Sequence, residues 1–242
     1  MGRKIMIASG KGGTGKSTFA VNLGLTLAYE GRSVLLIDMN TGLRTLDLYL
    51  GLENRALFNI SDVLNNICGL ESAVLQTDLS ERLMLLPGSQ VNNSSDIDES
   101  NLLPLIESLS EIFDYIIMDC APGIGYNVEL CMACSDEAII VINPDYASLR
   151  DADALEDLLL RNGVFNRSYV LNGISPDLIE NNACLTMNEV DERMKCAMLG
   201  MILYDFNIKA STNAGVPITV KRDTYIAENY ARIAERLIEK EL

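Results

Sequence analysis

Short runs of apolar residues alternate with helically spaced ones along the whole chain. Residues 4–8, apolar after Lys4, read as a short buried strand, and residues 17–29 carry helical spacing after a glycine-rich loop. The alternation then repeats. Residues 32–37 read as a strand ending at Asp38, Leu83–Leu86 as a strand closed by Pro87 and Gly88, and 102–109 as a helix. Residues 115–118 form a strand ending at Asp119, 137–143 a strand stopped by Pro144, and 148–160 a helix. Residues 168–171 end at Asn172, and 199–203 are the last predicted strand. Strands this uniformly apolar, separated by helices, are the pattern of a parallel sheet buried on both faces. The prediction is an α/β fold: a doubly wound, mostly parallel sheet with helices on both faces, one domain over residues 1–242. In such folds the ligand sits at the carboxyl ends of the strands.

The last helical stretch, 224–240, spaces Ile226, Tyr230, Ile233 and Leu237 as one stripe, which is expected to pack on the body of the domain. Its Arg232, Arg236 and Lys240 are offset by Glu235, Glu239 and Glu241, unlike the basic face of a membrane-surface helix. No apolar run reaches transmembrane length.

Composition adds exclusions. A formal net charge of −15 with no basic run argues against a large nucleic-acid footprint, which needs clustered Lys and Arg. There is no His, so imidazole serves neither as metal ligand nor as general base. The six cysteines follow an N-terminus without a secretory pattern, so reduced thiols and a cytoplasmic location are expected. Cys131 and Cys134 have two readings. Two such pairs in a symmetric dimer would supply four thiolates to zinc or an iron–sulfur centre. The favoured reading is two small buried residues on a packed helix.

The candidate chemistry starts at Gly10-Lys11-Gly12-Gly13-Thr14-Gly15-Lys16-Ser17, which fits the phosphate-loop pattern and lies between a strand and a helix. Glycines let backbone N–H groups close around a polyphosphate, and the helix N-terminus adds positive dipole. Lys16 is expected at the β- and γ-phosphates and the Ser17 hydroxyl on Mg²⁺. Asp119 and Asp38, at the ends of apolar strands, are the expected carboxylates near the metal. Gly123 leaves room for the γ-phosphate, and its N–H is a candidate reporter of that group.

Lys11, directly after the first glycine, gives the loop an extra lysine, and this resembles the deviant phosphate loop of the MinD/ParA family of P-loop ATPases. The segment Asp38-Met39-Asn40-Thr41-Gly42-Leu43-Arg44-Thr45-Leu46-Asp47-Leu48 is similar to a further family segment. So are Asn143-Pro144-Asp145 with Ser148 to Asp153, and Gly215-Val216-Pro217-Ile218. The resemblance runs from about residue 1 to 240. It implies ATP and Mg²⁺ as ligands and a homodimer when ATP is bound, with Lys11 reaching the phosphates held by the partner chain. It implies that Lys16 holds the phosphates of its own chain, that Ser17, Asp38 and Asp119 organise the metal, and that Thr18 meets the α-phosphate. It points to Asn172, Leu203, Tyr204 and Asp205 for the adenine, although the family has a proline in that last segment and this chain has none. It further implies protein regulators of the MinC and MinE kind.

Two departures shape the functional expectation. The family's MinD branch typically has aspartate where this chain has Asn40, a carboxylate thought to orient or activate the attacking water. An amide holds a water but neither accepts its proton nor supplies negative charge. Hydrolysis is therefore expected to be slow and ATP binding intact, unless another group takes over the role. The amide fits either a native slow switch or a change that traps the ATP dimer. Second, MinD proteins end in a basic amphipathic helix that docks on anionic membranes, and nothing after Leu237 fits it. The expectation is a chain without direct membrane contact, or one from which such a tail has been removed, cytoplasmic and at most peripheral to the membrane's inner face.

The function expected is a dimerising switch that hydrolyses ATP to control division-site or related spatial placement, with flagellar regulation as a variant. A DNA-partitioning ATPase of the ParA type is the main alternative, disfavoured by charge. A metallocluster carrier rests on Cys131 and Cys134 alone, and an amidotransferase-type ligase lacks substrate motifs.

Overall fold

The computed structural model describes residues 1–90, 97–181 and 183–239. The chain runs β1 (Arg3–Ala8), α1 (Lys16–Tyr29), β2 (Val34–Met39), α2 (Leu46–Tyr49), α3 (Ile60–Leu64), α4 (Leu70–Ala73), β3 (Leu75–Gln76) and β4 (Leu83–Leu86). It continues with α5 (Glu99–Ser110), β5 (Tyr115–Cys120), α6 (Tyr126–Ala133), β6 (Glu137–Ile142), α7 (Tyr146–Arg161) and β7 (Asn166–Ile174). Then come α8 (Pro176–Glu180), α9 (Met187–Asp191), β8 (Ala197–Leu203), α10 (Phe206–Asn213), a 3-10 turn (Ile218–Val220) and α11 (Tyr225–Glu239).

One sheet holds these strands in the order β3-β4-β2-β5-β1-β6-β7-β8. Every pairing is parallel except β3 with β4. Side chains on a strand alternate between faces, and the core divides accordingly. Ile5, Ile7, Leu36 and Ile117 pack with α1 and α11 on one face. Met6, Ala8, Ile37 and Met118 pack with α5, α6 and α7 on the other. This is the doubly wound α/β architecture that the sequence pattern predicts.

The alternation also aims the two strand-end carboxylates. Asp38 and Asp119 are paired across β2 and β5. Each lies two residues after a side chain of the α1 face, so both project toward the start of α1. The stripe on α11 behaves as expected: Ile226, Tyr230, Ile233 and Leu237 are buried, and the Tyr230 ring stacks on Phe19 of α1 at 5.8 Å. Lys240 and Glu241, which the predicted stretch drew on, lie outside the described residues. No helix among the described residues is long and apolar enough to cross a membrane.

The zinc or iron–sulfur reading of Cys131 and Cys134 is corrected by their position. Both sulfurs lie in the core between α6 and the sheet, at 0% and 1% exposure. The Cys131 thiol is pushed up by its hydrogen bond with Cys120 and by burial, and burial pushes Cys134 up to about 11. Sulfurs so enclosed cannot reach across a dimer to share a metal, and they pack instead.

Candidate nucleotide site

The loop between β1 and α1 turns because Gly13 and Gly15 adopt φ of 81° and 87°, a region where a Cβ costs about 1–2 kcal/mol. Gly15 is the N-cap of α1 and offers no side-chain cap, so the first N–H groups of the helix face the groove. Asn172, at the carboxyl end of β7, donates from Nδ2 to the Thr14 carbonyl at 2.7 Å. Asn143 after β6 donates to the Asn172 carbonyl at 3.0 Å. Two strand ends are thereby tied to the loop.

Lys16 opens α1 and reaches back over the sheet. Its Nζ lies 2.5 Å from Asp119 Oδ1, with the two side chains 6% and 0% exposed. The other Asp119 oxygen, Oδ2, is buried without a hydrogen-bond partner among the described residues, and so is Thr14 Oγ1. A buried carboxylate oxygen with a free lone pair is a donor that suits a hard divalent cation such as Mg²⁺.

Asp38 is bound differently. Its Oδ1 accepts the Asn40 N–H at 3.0 Å, and its Oδ2 accepts those of Thr45 at 2.6 Å and Leu46 at 3.0 Å. The carboxylate thus organises the 40–46 loop from inside. Burial pushes it up to about 6, the neighbouring Asp119 charge adds to this, and the three N–H groups oppose it. Next to it, the salt bridge between Arg44 and Asp47 is also buried.

A cavity of about 450 Å³ covers the phosphate side, lined by Lys11, Gly12, Lys16, Ser17, Asn40, Leu43 and Pro122 among others. A second, of about 410 Å³, is lined by Asn143, Asn172, Leu203, Tyr204, Asp205 and Ile208. The four residues assigned to the adenine therefore converge on one hollow beside the loop. Asp205 is already engaged there: it caps α10 through the Asn207 N–H at 2.6 Å and accepts the Tyr225 hydroxyl. Gly10 lies outside the lining of both cavities, since its α-carbon packs against α7, where a Cβ would fall 2.2 Å from the Asp151 carbonyl oxygen. Gly123 has φ of 93° and donates its N–H to the Ser9 carbonyl at 2.9 Å, so this N–H is turned to β1 rather than to the groove.

Lys11 sits on the rim. Its Nζ is 3.4 Å from Asp145 Oδ1, and both side chains are nearly half exposed. Asp145 also caps α7 through the Ser148 N–H at 2.8 Å. Two residues here escape the sequence reading. Asp145 lay in a matched segment but carried no assigned role. Tyr49 lines both cavities and sits in a four-residue helix too short for any periodicity to reveal.

The chain is similar to known proteins over most of its length. A family model described as an AAA domain matches residues 2–161. The septum site-determining protein MinD of Synechocystis is 35% identical over 238 residues, covering 98% of this chain and 90% of that protein. MinD in the Aquifex aeolicus MinC:MinD cell division complex superposes with a TM-score of 0.91 at 33% identity, covering 98% and 96% of the two chains. The Pyrococcus horikoshii MinD complexed with Mg-ADP superposes with a TM-score of 0.89 at 28% identity, covering 100% and 98%. The chain belongs to the MinD/ParA family of P-loop ATPases.

Proposed function

We propose that this chain is a MinD-type cell-division ATPase that binds ATP with Mg²⁺, dimerises face to face, and hydrolyses ATP to ADP and phosphate as it returns to monomer. Lys16 holds the β- and γ-phosphates, Ser17 and Asp119 hold the metal, Asp38 orders the loop beside it, and Thr18 meets the α-phosphate. Asn172, Leu203 and Tyr204 border the adenine. The relatives at full-length coverage are septum site-determining proteins, and one neighbour was solved with MinC, so the partner expected is a regulator of that kind. Charge of −15 argues against DNA as the partner.

The observation that carries the switch is the placement of Lys11. An exposed pair such as Lys11 with Asp145 contributes only about 0–1 kcal/mol. Releasing it toward phosphates held by a second copy therefore costs little, whereas a fully buried lysine would stay where it is. Asn40 borders the phosphate cavity and offers a water an amide in place of a carboxylate, which favours a long-lived ATP dimer.

The test pairs light scattering with a turnover assay. ATP·Mg²⁺ is expected to double the mass of the wild type and to leave Lys11→Ala monomeric. Asn40→Asp is expected to raise turnover at least tenfold. An ATP dimer insensitive to Lys11→Ala removes the switch mechanism, and equal turnover in wild type and Asn40→Asp removes the role given to the amide.

A further inference from the structure

The phosphate cavity and the adenine cavity meet at a waist. Five residues line both: Gly13, Thr14, Gly15, Thr18 and Tyr49. Four of them belong to the loop and the first turn of α1, so they form the floor. Tyr49 comes from the separate helix α2 and lines both cavities beside Thr18. A nucleoside triphosphate laid along the groove, base in one hollow and terminal phosphates in the other, passes its ribose and α-phosphate through this waist.

Tyr49 is built to hold its position. The ring is half-buried and packs on the α1 face of the core, while Leu46 and Leu50 on either side of it are buried. Helix α2 is anchored at both ends. The Asp38 carboxylate takes the N–H groups of Thr45 and Leu46. Beyond its C-terminus, the backbones of Gly51 and Gly215 meet so closely that a Cβ on Gly51 would lie 3.1 Å from the Gly215 carbonyl oxygen. Burial, and after it the Asp119 charge, hold the hydroxyl in its neutral, proton-bearing form, opposed by the Lys16 charge and by a hydrogen bond with Thr18. A neutral phenol is a donor, which is what an anionic phosphate oxygen requires.

We propose that Tyr49 is a nucleotide-binding residue of this site, its hydroxyl donating a hydrogen bond to the ribose–α-phosphate portion of the bound nucleotide. The inference rests on the reading of the groove as a nucleotide site. It also gives α2 a direct contact with the ligand and couples the Asn40–Thr45 loop to it indirectly, through Asp38.

The test uses the full chain and Mg·ADP as probe, titrated by calorimetry. A hydrogen bond to a charged group contributes about 1.5–3 kcal/mol, so Tyr49→Phe is expected to weaken Mg·ADP binding roughly tenfold or more. Loss of the Thr18 contact alone would lower the ligand-free melting temperature slightly and leave the Mg·ADP affinity unchanged, so the affinity is the reading that separates a ligand contact from a structural one. The chain has no Trp, so Tyr49→Trp provides a single emission reporter, expected to shift on saturation with Mg·ADP. Wild-type affinity in Tyr49→Phe overturns the proposal, and so does a Tyr49→Trp emission unchanged at saturation. Failure of the wild type itself to bind Mg·ADP removes the nucleotide reading and this inference together, and is told apart by the wild-type titration alone.

Discussion

Lys16 and Asp119 form a buried ion pair at 2.5 Å, joining the first residue of α1 to the carboxyl end of β5. A pair at this depth contributes little net stability, because desolvation offsets the attraction, but removing one partner strands the other as an uncompensated buried charge. Lys16→Ala is therefore expected to destabilise the ligand-free protein by about 3–5 kcal/mol, read as a lower urea midpoint. The double variant Lys16→Met with Asp119→Asn should recover much of that loss while still failing to bind nucleotide. A Lys16→Ala midpoint equal to wild type would mean that the pair is not formed in solution.

Asp38 gives a pH signature. Its folded-state value is raised to about 6 by burial and by Asp119, against an ordinary value near 4. Between those values the folded chain holds a proton that the unfolded chain has released, so this group's contribution to stability falls as pH rises from about 4 to 6 and is constant above that. Asp38→Asn lacks the titration. The stability of the wild type relative to this variant should therefore decline across that window, by on the order of 2–3 kcal/mol, and be level from pH 6.5 to 8. A difference independent of pH from 4 to 6 would show that Asp38 is ionised throughout.

Asn172 and Gly15 make a third, coupled pair. A Cβ on Gly15 would fall 2.3 Å from Asn172 Nδ2, at a φ of 87° that side chains avoid. Gly15→Ala is expected to cost at least about 1–2 kcal/mol in backbone strain alone and to displace Asn172 from the Thr14 carbonyl. Asn172→Ala removes the obstacle, so the two substitutions together should cost less than their sum, by about 0.5–3 kcal/mol. Strict additivity in chemical denaturation would separate the two residues.

How much of this was legible in the sequence depends on what set each feature. The seven longer strands and the phosphate loop were plain, since buried parallel strands are apolar throughout and the loop needs its glycines. Boundaries slipped where burial continues past the apolar run: β2 is Val34–Met39 rather than 32–37, because Asp38 is a buried charge inside a strand. The two-residue β3 and the short helices α2, α3, α4, α8 and α9 carry no periodicity to read. Helix α10 was missed for another reason: none of its residues is buried, so it has no apolar stripe. The same brevity hid Tyr49, whose position at the waist comes from the tertiary anchoring of α2. Lys11 was visible as an extra lysine, but its pairing with Asp145 required the packing of β1 beside β6.

The cysteines supply a prediction on accessibility. Only the thiolate attacks a disulfide reagent, and it must also be reached. Cys120, Cys131 and Cys134 are 0–1% exposed, and burial raises the Cys134 thiol to about 11. Cys196, 9% exposed, is pushed up to about 12 by burial and by the Glu156 charge. Cys68 and Cys184 are partly exposed. In the native protein an aromatic disulfide reagent should therefore titrate these two thiols first, with the remaining four reacting only at the rate of unfolding. Because the Cys131 and Cys134 sulfurs are held inside the core, added zinc should leave the melting temperature unchanged in the absence of nucleotide. Rapid native-state labelling of Cys131 or Cys134, mapped by mass spectrometry, or zinc-dependent stabilisation abolished by Cys131→Ala, would return that pair to the surface and revive a metal-binding role.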